Sequence, residues 1–208
     1  LVGSEMCIRD RVYTKETTNS AELLFFTNHA QVYKSRASEF ADTKASVLGD
    51  YVASKLEMEE GEVPLFMTVT VDYRGYMLFF YQNGKCAKIP LASYMTKQNR
   101  RKLLKAYSDK EELAAMLHIE EETELAVFTS GGTGGPRLIL VGSALIPEKA
   151  TRDTAGINMV TLKKNARIAK VRPAAGLELK DPHRYRVRTL PAAGALLRQE
   201  DTTEQMSL

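Results

Sequence analysis

The chain has 208 residues, of which 44% are apolar and 26% charged, and its formal net charge is +3. That is enough apolar material for one large or two small cores, and it excludes a disordered tail. No apolar run approaches the ~20 residues that cross a bilayer, and no charged start followed by an apolar stretch marks a secretion signal, so the expected setting is cytoplasmic.

Taken in chain order, Gly3-Ser4-Glu5-Met6-Cys7-Ile8-Arg9-Asp10 matches one reading frame of a transposase mosaic end. Residues 1–11 are therefore read as translated sequencing adapter, with the protein expected to continue upstream; the alternative is an ordinary polar arm. Setting them aside leaves Cys86 as the remaining cysteine. One cysteine can neither staple a fold nor build a zinc site, which fits a reducing compartment.

A repeat follows. Phe25-Phe26-Thr27-Asn28-His29-Ala30-Gln31-Val32-Tyr33-Lys34 aligns with Phe79-Phe80-Tyr81-Gln82-Asn83-Gly84-Lys85-Cys86-Ala87-Lys88. Each copy is a β-rich run, a turn and an alternating run ending in lysine, the pattern of a hairpin, and Asn83-Gly84 is the strongest turn signal in the chain. A third copy has Val127 to Ser130 as its first strand, Gly131 to Pro136 as a glycine-rich turn, and Arg137 to Val141 as its second strand.

After each hairpin come two more apolar runs. They are Tyr51 to Leu56 and Leu65 to Val71 in the first copy, and Leu103 to Tyr107 and Leu113 to Ile119 in the second. The third copy has Ile157 to Leu162 and Arg167 to Val171. Four short strands per unit of about 50 residues is the pattern of a propeller-like blade. Arg100 to Met116 also has helix-compatible spacing, but the same position in the flanking repeats reads as strand, and strand is the reading adopted. The expected organisation is residues 12–73 as blade 1, 74–124 as blade 2, 125–198 as blade 3 with a terminal strand, and 199–208 as an acidic tail.

These phrases resemble the C-terminal domain of the A subunits of bacterial type IIA topoisomerases, DNA gyrase and topoisomerase IV, over Val12 to about Gln199. The family's blades open on a phrase like Phe26-Thr27-Asn28-His29-Ala30-Gln31-Val32-Tyr33 and continue into one like Thr151-Arg152-Asp153-Thr154-Ala155-Gly156-Ile157. Gly84 to Pro90 and Thr96 to Leu103 look like versions common in clostridial A subunits. The resemblance implies an all-β, propeller-like β-pinwheel, here about three four-stranded blades of a larger array.

Three departures stand out. Ala30 occupies a position where the family usually has glycine, and the Gly131 to Pro136 turn is longer than usual. The chain also lacks the glutamine-arginine-arginine-glycine-glycine-lysine-glycine box with which gyrase wraps DNA, which leaves gyrase and topoisomerase IV both open.

Charge is uneven along the repeats. Residues 22–73 carry a net charge of −5, residues 74–124 carry +2, and residues 125–198 carry +9. A basic third repeat suits a polyanion, because lysine and arginine neutralise phosphates and release counterions. With the resemblance, the residues nominated for contact with double-stranded DNA are Lys34, Arg36, Lys88, Lys97, Arg100, Arg101, Lys102, Arg137, Lys149, Arg152, Lys163, Lys164, Arg167 and Lys170. No recognition helix, zinc spacing or aromatic platform accompanies them, so contact to the DNA backbone and low sequence specificity are expected.

Catalytic chemistry is not expected in this stretch. Gly131 to Gly135 lacks the lysine-serine/threonine pair of a phosphate loop, and Pro136 removes an amide donor. His29, His118 and His183 are not spaced as metal ligands, and Glu59-Glu60 and Glu120 to Glu122 read as solvated turns. The resemblance implies a parent enzyme that uses ATP and magnesium at sites elsewhere. It also implies, as partners, the rest of the A subunit and the ATPase B subunit, and a bacterial, nucleoid-associated setting with no membrane contact. The family's DNA-cleaving tyrosine is not carried over to any tyrosine here. The competing reading is a propeller-type protein-interaction module whose acidic first repeat docks a basic partner.

Overall fold

The computed structural model describes residues 15–44, 47–96 and 101–201. Three four-stranded antiparallel sheets account for nearly all of its regular structure. The chain divides into two compact units, residues up to Tyr73 with Thr96–Ala106, and Arg74–Met95 with Tyr107 onward.

In the first unit, strands β1 (Glu22–Thr27) and β2 (Val32–Arg36) form the expected hairpin, with Phe26 opposite Val32 and Leu24 opposite Lys34. Strand β3 (Pro64–Thr70) lies along the other side of β1, with a bulge at Phe26/Thr27. Alternation puts Leu24 and Phe26 on one face, both fully buried, and Leu23 and Phe25 on the other. Phe25 and Tyr33 pack with Leu56, Phe40, Val52 and Met67.

Tyr51 to Leu56, read from the sequence as a strand, is instead a single helical turn, α1 (Val52–Lys55). The Lys55 and Leu56 amides bond the Tyr51 and Val52 carbonyls. No sheet position is open to this run, because the fourth strand of the first sheet arrives from further along the chain. That strand is β6 (Lys102–Leu103), which pairs with β2.

The second unit repeats the scheme twice. Strands β4 (Tyr76–Tyr81) and β5 (Lys85–Pro90) form a hairpin, flanked by β7 (Leu113–Ile119) on β4 and by β10 (Ile157–Asn158) on β5. Strands β8 (Glu124–Gly131) and β9 (Arg137–Gly142) form the next, flanked by β11 (Ala166–Pro173) and β12 (Ala195–Leu196). In every sheet the short fourth strand comes from beyond the next long strand or hairpin. Sequence repeat and sheet are therefore out of phase by one strand. The helical reading of the stretch up to Met116 has no counterpart in the described residues, where Leu103 pairs in the first sheet and Leu113–Ile119 in the second.

The core of the second unit lies between its two sheets, where Leu78, Phe80 and Cys86 meet Leu125, Val127, Ile139 and Val141. Each such side chain contributes about 1.5–3 kcal/mol by leaving water. The other face of the third sheet, Ala126, Phe128, Leu138 and Leu140, is covered by the chain after β11, chiefly Tyr185 and Leu197. The Tyr185 hydroxyl donates to Asp201 at 2.6 Å.

Candidate nucleic-acid interface

The fourteen nominated basic residues fall into distinct environments. Lys34 and Lys88 are buried, at 9% and 3% exposure. The Lys34 ammonium lies 3.6 Å from Glu22, donates to Thr96 at 3.1 Å and sits over the Tyr73 ring. That of Lys88 pairs with Glu122, donates to the Ser143 carbonyl at 3.2 Å and lies 4.3 Å from the Tyr76 ring centre. Both alternate inward on a central strand, and both charges are used inside the fold.

Arg101 and Lys102 flank the start of β6. Arg101 is exposed, 3.5 Å from Glu39. Lys102 is bound to Glu59 and over Tyr33, and the carboxylate beside it raises its pKa while burial opposes that shift. Arg36 is exposed at the end of β2. Lys97 and Arg100 lie outside the described residues.

In the second unit, Arg152 is half-buried, its guanidinium donating to the Ser93 carbonyl at 2.9 Å over the Tyr94 ring. Lys149 is half-buried, and its backbone amide bonds the Lys88 carbonyl. The remaining five gather at the third sheet. Lys163, Lys164 and Arg167 are exposed in the turn entering β11, Lys170 follows on that strand, and Arg137 opens β9.

The register explains this gathering. Arg167 lies opposite Ser130 and Arg137 opposite Thr129 on the central strand β8. The β8–β9 turn folds onto the basic turn, with the Thr133 amide bonding the Lys164 carbonyl at 3.3 Å. Gly132 has a φ of 75°, and a Cβ there would fall 2.6 Å from that carbonyl, so the glycines of this turn serve close backbone approach.

Pairing separates the two units. Lys55, Arg101 and Lys102 of the first unit, and Arg74, Lys85 and Lys88 of the second sheet, each face a carboxylate. Among the described residues no ion pair engages Lys163, Lys164, Arg167, Arg172 or Arg188. Arg172 and Arg188 were not nominated, and only their strand and turn positions beside β11 give them away. Arg186, by contrast, is held by both oxygens of Glu124 at 2.7 and 3.2 Å.

One constellation ran against the sequence reading of the histidines. His29, Glu59 and Glu62 bring their ligand atoms within 4.8 Å of one another, because the β1–β2 corner meets the loop before β3. Glu62 is buried, accepting from Thr27, Tyr33 and the Glu59 amide, and Lys102 supplies a positive charge to Glu59. Cys86 is free and fully buried, and burial pushes its thiol far up, which leaves it inert. No helix among the described residues is long and apolar enough to cross a membrane.

No protein-family model and no curated protein matches the chain in sequence. In fold it is similar to a crystal structure of the C-terminal domain of DNA topoisomerase IV, with a TM-score of 0.70 at 16% identity, covering 94% of this chain and 67% of that one. A DNA gyrase A C-terminal domain matches with a TM-score of 0.58 at 14% identity, over 86% of this chain and 60% of that one. The E. coli ParC C-terminal domain matches with a TM-score of 0.64 at 12% identity, over 88% and 79%. The chain thus spans from 60% to 79% of the lengths of these structures. Its fold is the all-β pinwheel of those C-terminal domains, built of three four-stranded sheets.

Proposed function

We propose that this chain is the non-catalytic, DNA-binding C-terminal part of a bacterial type IIA topoisomerase A subunit, and that it holds duplex DNA by its phosphates at the third sheet. The observation that carries the reading is the cluster Lys163, Lys164 and Arg167, exposed on one turn with no carboxylate partner among the described residues. Arg172 extends it along β11. The fold likeness to gyrase and topoisomerase IV domains supports the same reading.

On this reading the cations replace condensed counterions, and binding is favourable chiefly because those counterions are released. The sheet offers a strand-and-turn surface rather than a helix that could enter a groove, so base edges are not read and sequence discrimination is low. In the parent enzyme this part would present DNA to the cleavage region of the A subunit. ATP hydrolysis by the B subunit, with its magnesium, would take place elsewhere, in a bacterial cytoplasm.

The test is affinity for a short duplex across 50–200 mM salt. Three or four phosphate contacts give a slope of log K against log salt of about −3 to −4. A flat response removes the reading. A pull-down of a basic protein that survives nuclease treatment, with no gel shift, would favour the interaction-module alternative.

A further inference from the structure

We infer that the tip of the third sheet carries a built site for a single phosphodiester anion, centred on Arg137; the inference rests on the DNA-binding reading proposed above. Arg137 is the one nominated cation whose guanidinium is both positioned by the fold and left with donor capacity. Its amide donates to the Thr129 hydroxyl oxygen at 3.2 Å, and its Nη1 donates to the Gly194 carbonyl at 2.8 Å. Gly194 has a φ of 69°, and a Cβ there would fall 2.6 Å from the Ile139 side chain. The carbonyl that steers Arg137 therefore requires glycine at 194.

With Nη1 engaged, Nε is buried and has no acceptor. A buried donor left unpaired costs about 1–3 kcal/mol, so an acceptor brought from outside recovers that loss. A guanidinium edge offers two parallel N–H donors, the geometry that two oxygens of a phosphate match.

The surroundings fit that ligand and exclude others. Arg137 lines a shallow open depression with Thr129, Gly135, Leu162, Lys163 and Ala166. The Thr129 oxygen accepts the Arg137 amide, which leaves its own proton to donate. Lys163 adds a second positive charge at the rim, and no carboxylate lines the site. The walls carry no aromatic ring to stack a base and no depth to enclose a free nucleotide. The site suits a tetrahedral oxyanion offered from outside, as a duplex offers its backbone.

The experiment uses the full 208-residue chain in two arms. In the first, inorganic phosphate is titrated while arginine Nε–H signals are followed by NMR, with Arg137→Lys assigning the signal. Phosphate should shift the Arg137 signal selectively and saturably. In the second, a 20-base-pair duplex is titrated over the salt range. Arg137→Gln should reduce the salt slope by about one unit. Arg137→Lys should keep the slope, because it keeps the charge, but should bind phosphate at least several-fold more weakly.

If Arg137→Gln folds poorly, duplexes carrying one neutral methylphosphonate at a time test the wild-type chain against Arg137→Lys. One position should weaken the wild type and leave Arg137→Lys less affected. Wild-type DNA binding with an unmoved Arg137 signal and no such position overturns the site while leaving the DNA reading intact. A saturable phosphate response without any duplex binding overturns the DNA reading and leaves a site for a free anion.

Discussion

Ala30 and Gly84 occupy the same corner of successive hairpins, and both have positive φ, 52° and 90°. Each carbonyl also receives the amide just beyond a short fourth strand, Ala106 at 2.8 Å in the first case and Met159 and Val160 at 2.9 Å in the second. Left-handed backbone costs a residue with a Cβ about 1–2 kcal/mol, so the two corners should respond unequally to exchange. Gly84→Ala places a methyl 2.5 Å from the Val160 carbonyl and should cost more than about 2 kcal/mol. Ala30→Gly relieves the strain but loses a buried methyl and adds unfolded-state entropy, so it should change stability by less than about 0.5 kcal/mol. Urea midpoints decide; equal losses at both corners would mean that the corners are not equivalent.

The buried lysines lead to a prediction of the opposite kind from the exposed ones. Lys88→Met removes the partner of Glu122 and should destabilise the second unit by about 1–3 kcal/mol, a range reduced because Glu122 is partly exposed. Affinity for DNA per folded molecule should not change. Reversing Lys163, Lys164 and Arg167 to glutamate should leave the thermal midpoint nearly unmoved and lower affinity for every duplex sequence alike. A Lys88→Met protein that remains stable but loses DNA binding would place the contact on the wrong residue.

Why the sequence exposed some of this and hid the rest can be seen in particular residues. The hairpins were legible because alternation and Asn83-Gly84 are local signals. The destination of Lys102–Leu103 was not, because pairing with β2 is a contact made across some 70 residues, and nothing local distinguishes a strand of its own sheet from one lent to another. Helix α1 was missed for a related reason: Tyr51 to Leu56 looked like a missing fourth strand when that strand lay elsewhere. At the site, lysine and arginine counts located the third repeat but could not separate Lys88, buried over Tyr76, from Lys163, exposed on a turn. Burial is set by inward alternation together with a carboxylate contributed from a distant loop.

Acid should weaken the first unit through Glu62. Burial alone would raise its pKa, but donors from Thr27, Tyr33 and the Glu59 amide, with Lys102 nearby, together hold it below the ordinary 4.5. A folded-state pKa below the unfolded one gives stability that is present above pH 4.5 and is lost as pH falls through the folded value. Asp201 and Glu122, also lowered, act in the same direction in the second unit. Urea midpoints for the first unit should therefore fall below pH 4.5. Glu62→Gln should start lower at pH 7, since its amide meets donors, and should lose less on acidification. Parallel acid limbs for variant and wild type would rule Glu62 out as the titrating group.

The lent strand gives the most direct test of the architecture. Val32 is fully buried, yet it lies on β2, whose outer edge is closed only by Leu103 and its neighbours; Leu103 pairs with Val32, and the Lys34 amide donates to the Arg101 carbonyl at 2.6 Å. A fragment of residues 12–73 would leave that edge open, with unpaired backbone groups beside an apolar strand, the condition that favours association of strand edges. The fragment alone should be aggregation-prone, with fast exchange at the Lys34 amide. Adding a peptide of residues 96–106 should close the edge and slow that exchange. The Leu103→Asp peptide should not, because its carboxylate would have to be buried at a position 4% exposed in the intact chain. A monomeric fragment with a protected Lys34 amide and no need of the peptide would show that the first sheet is complete with three strands.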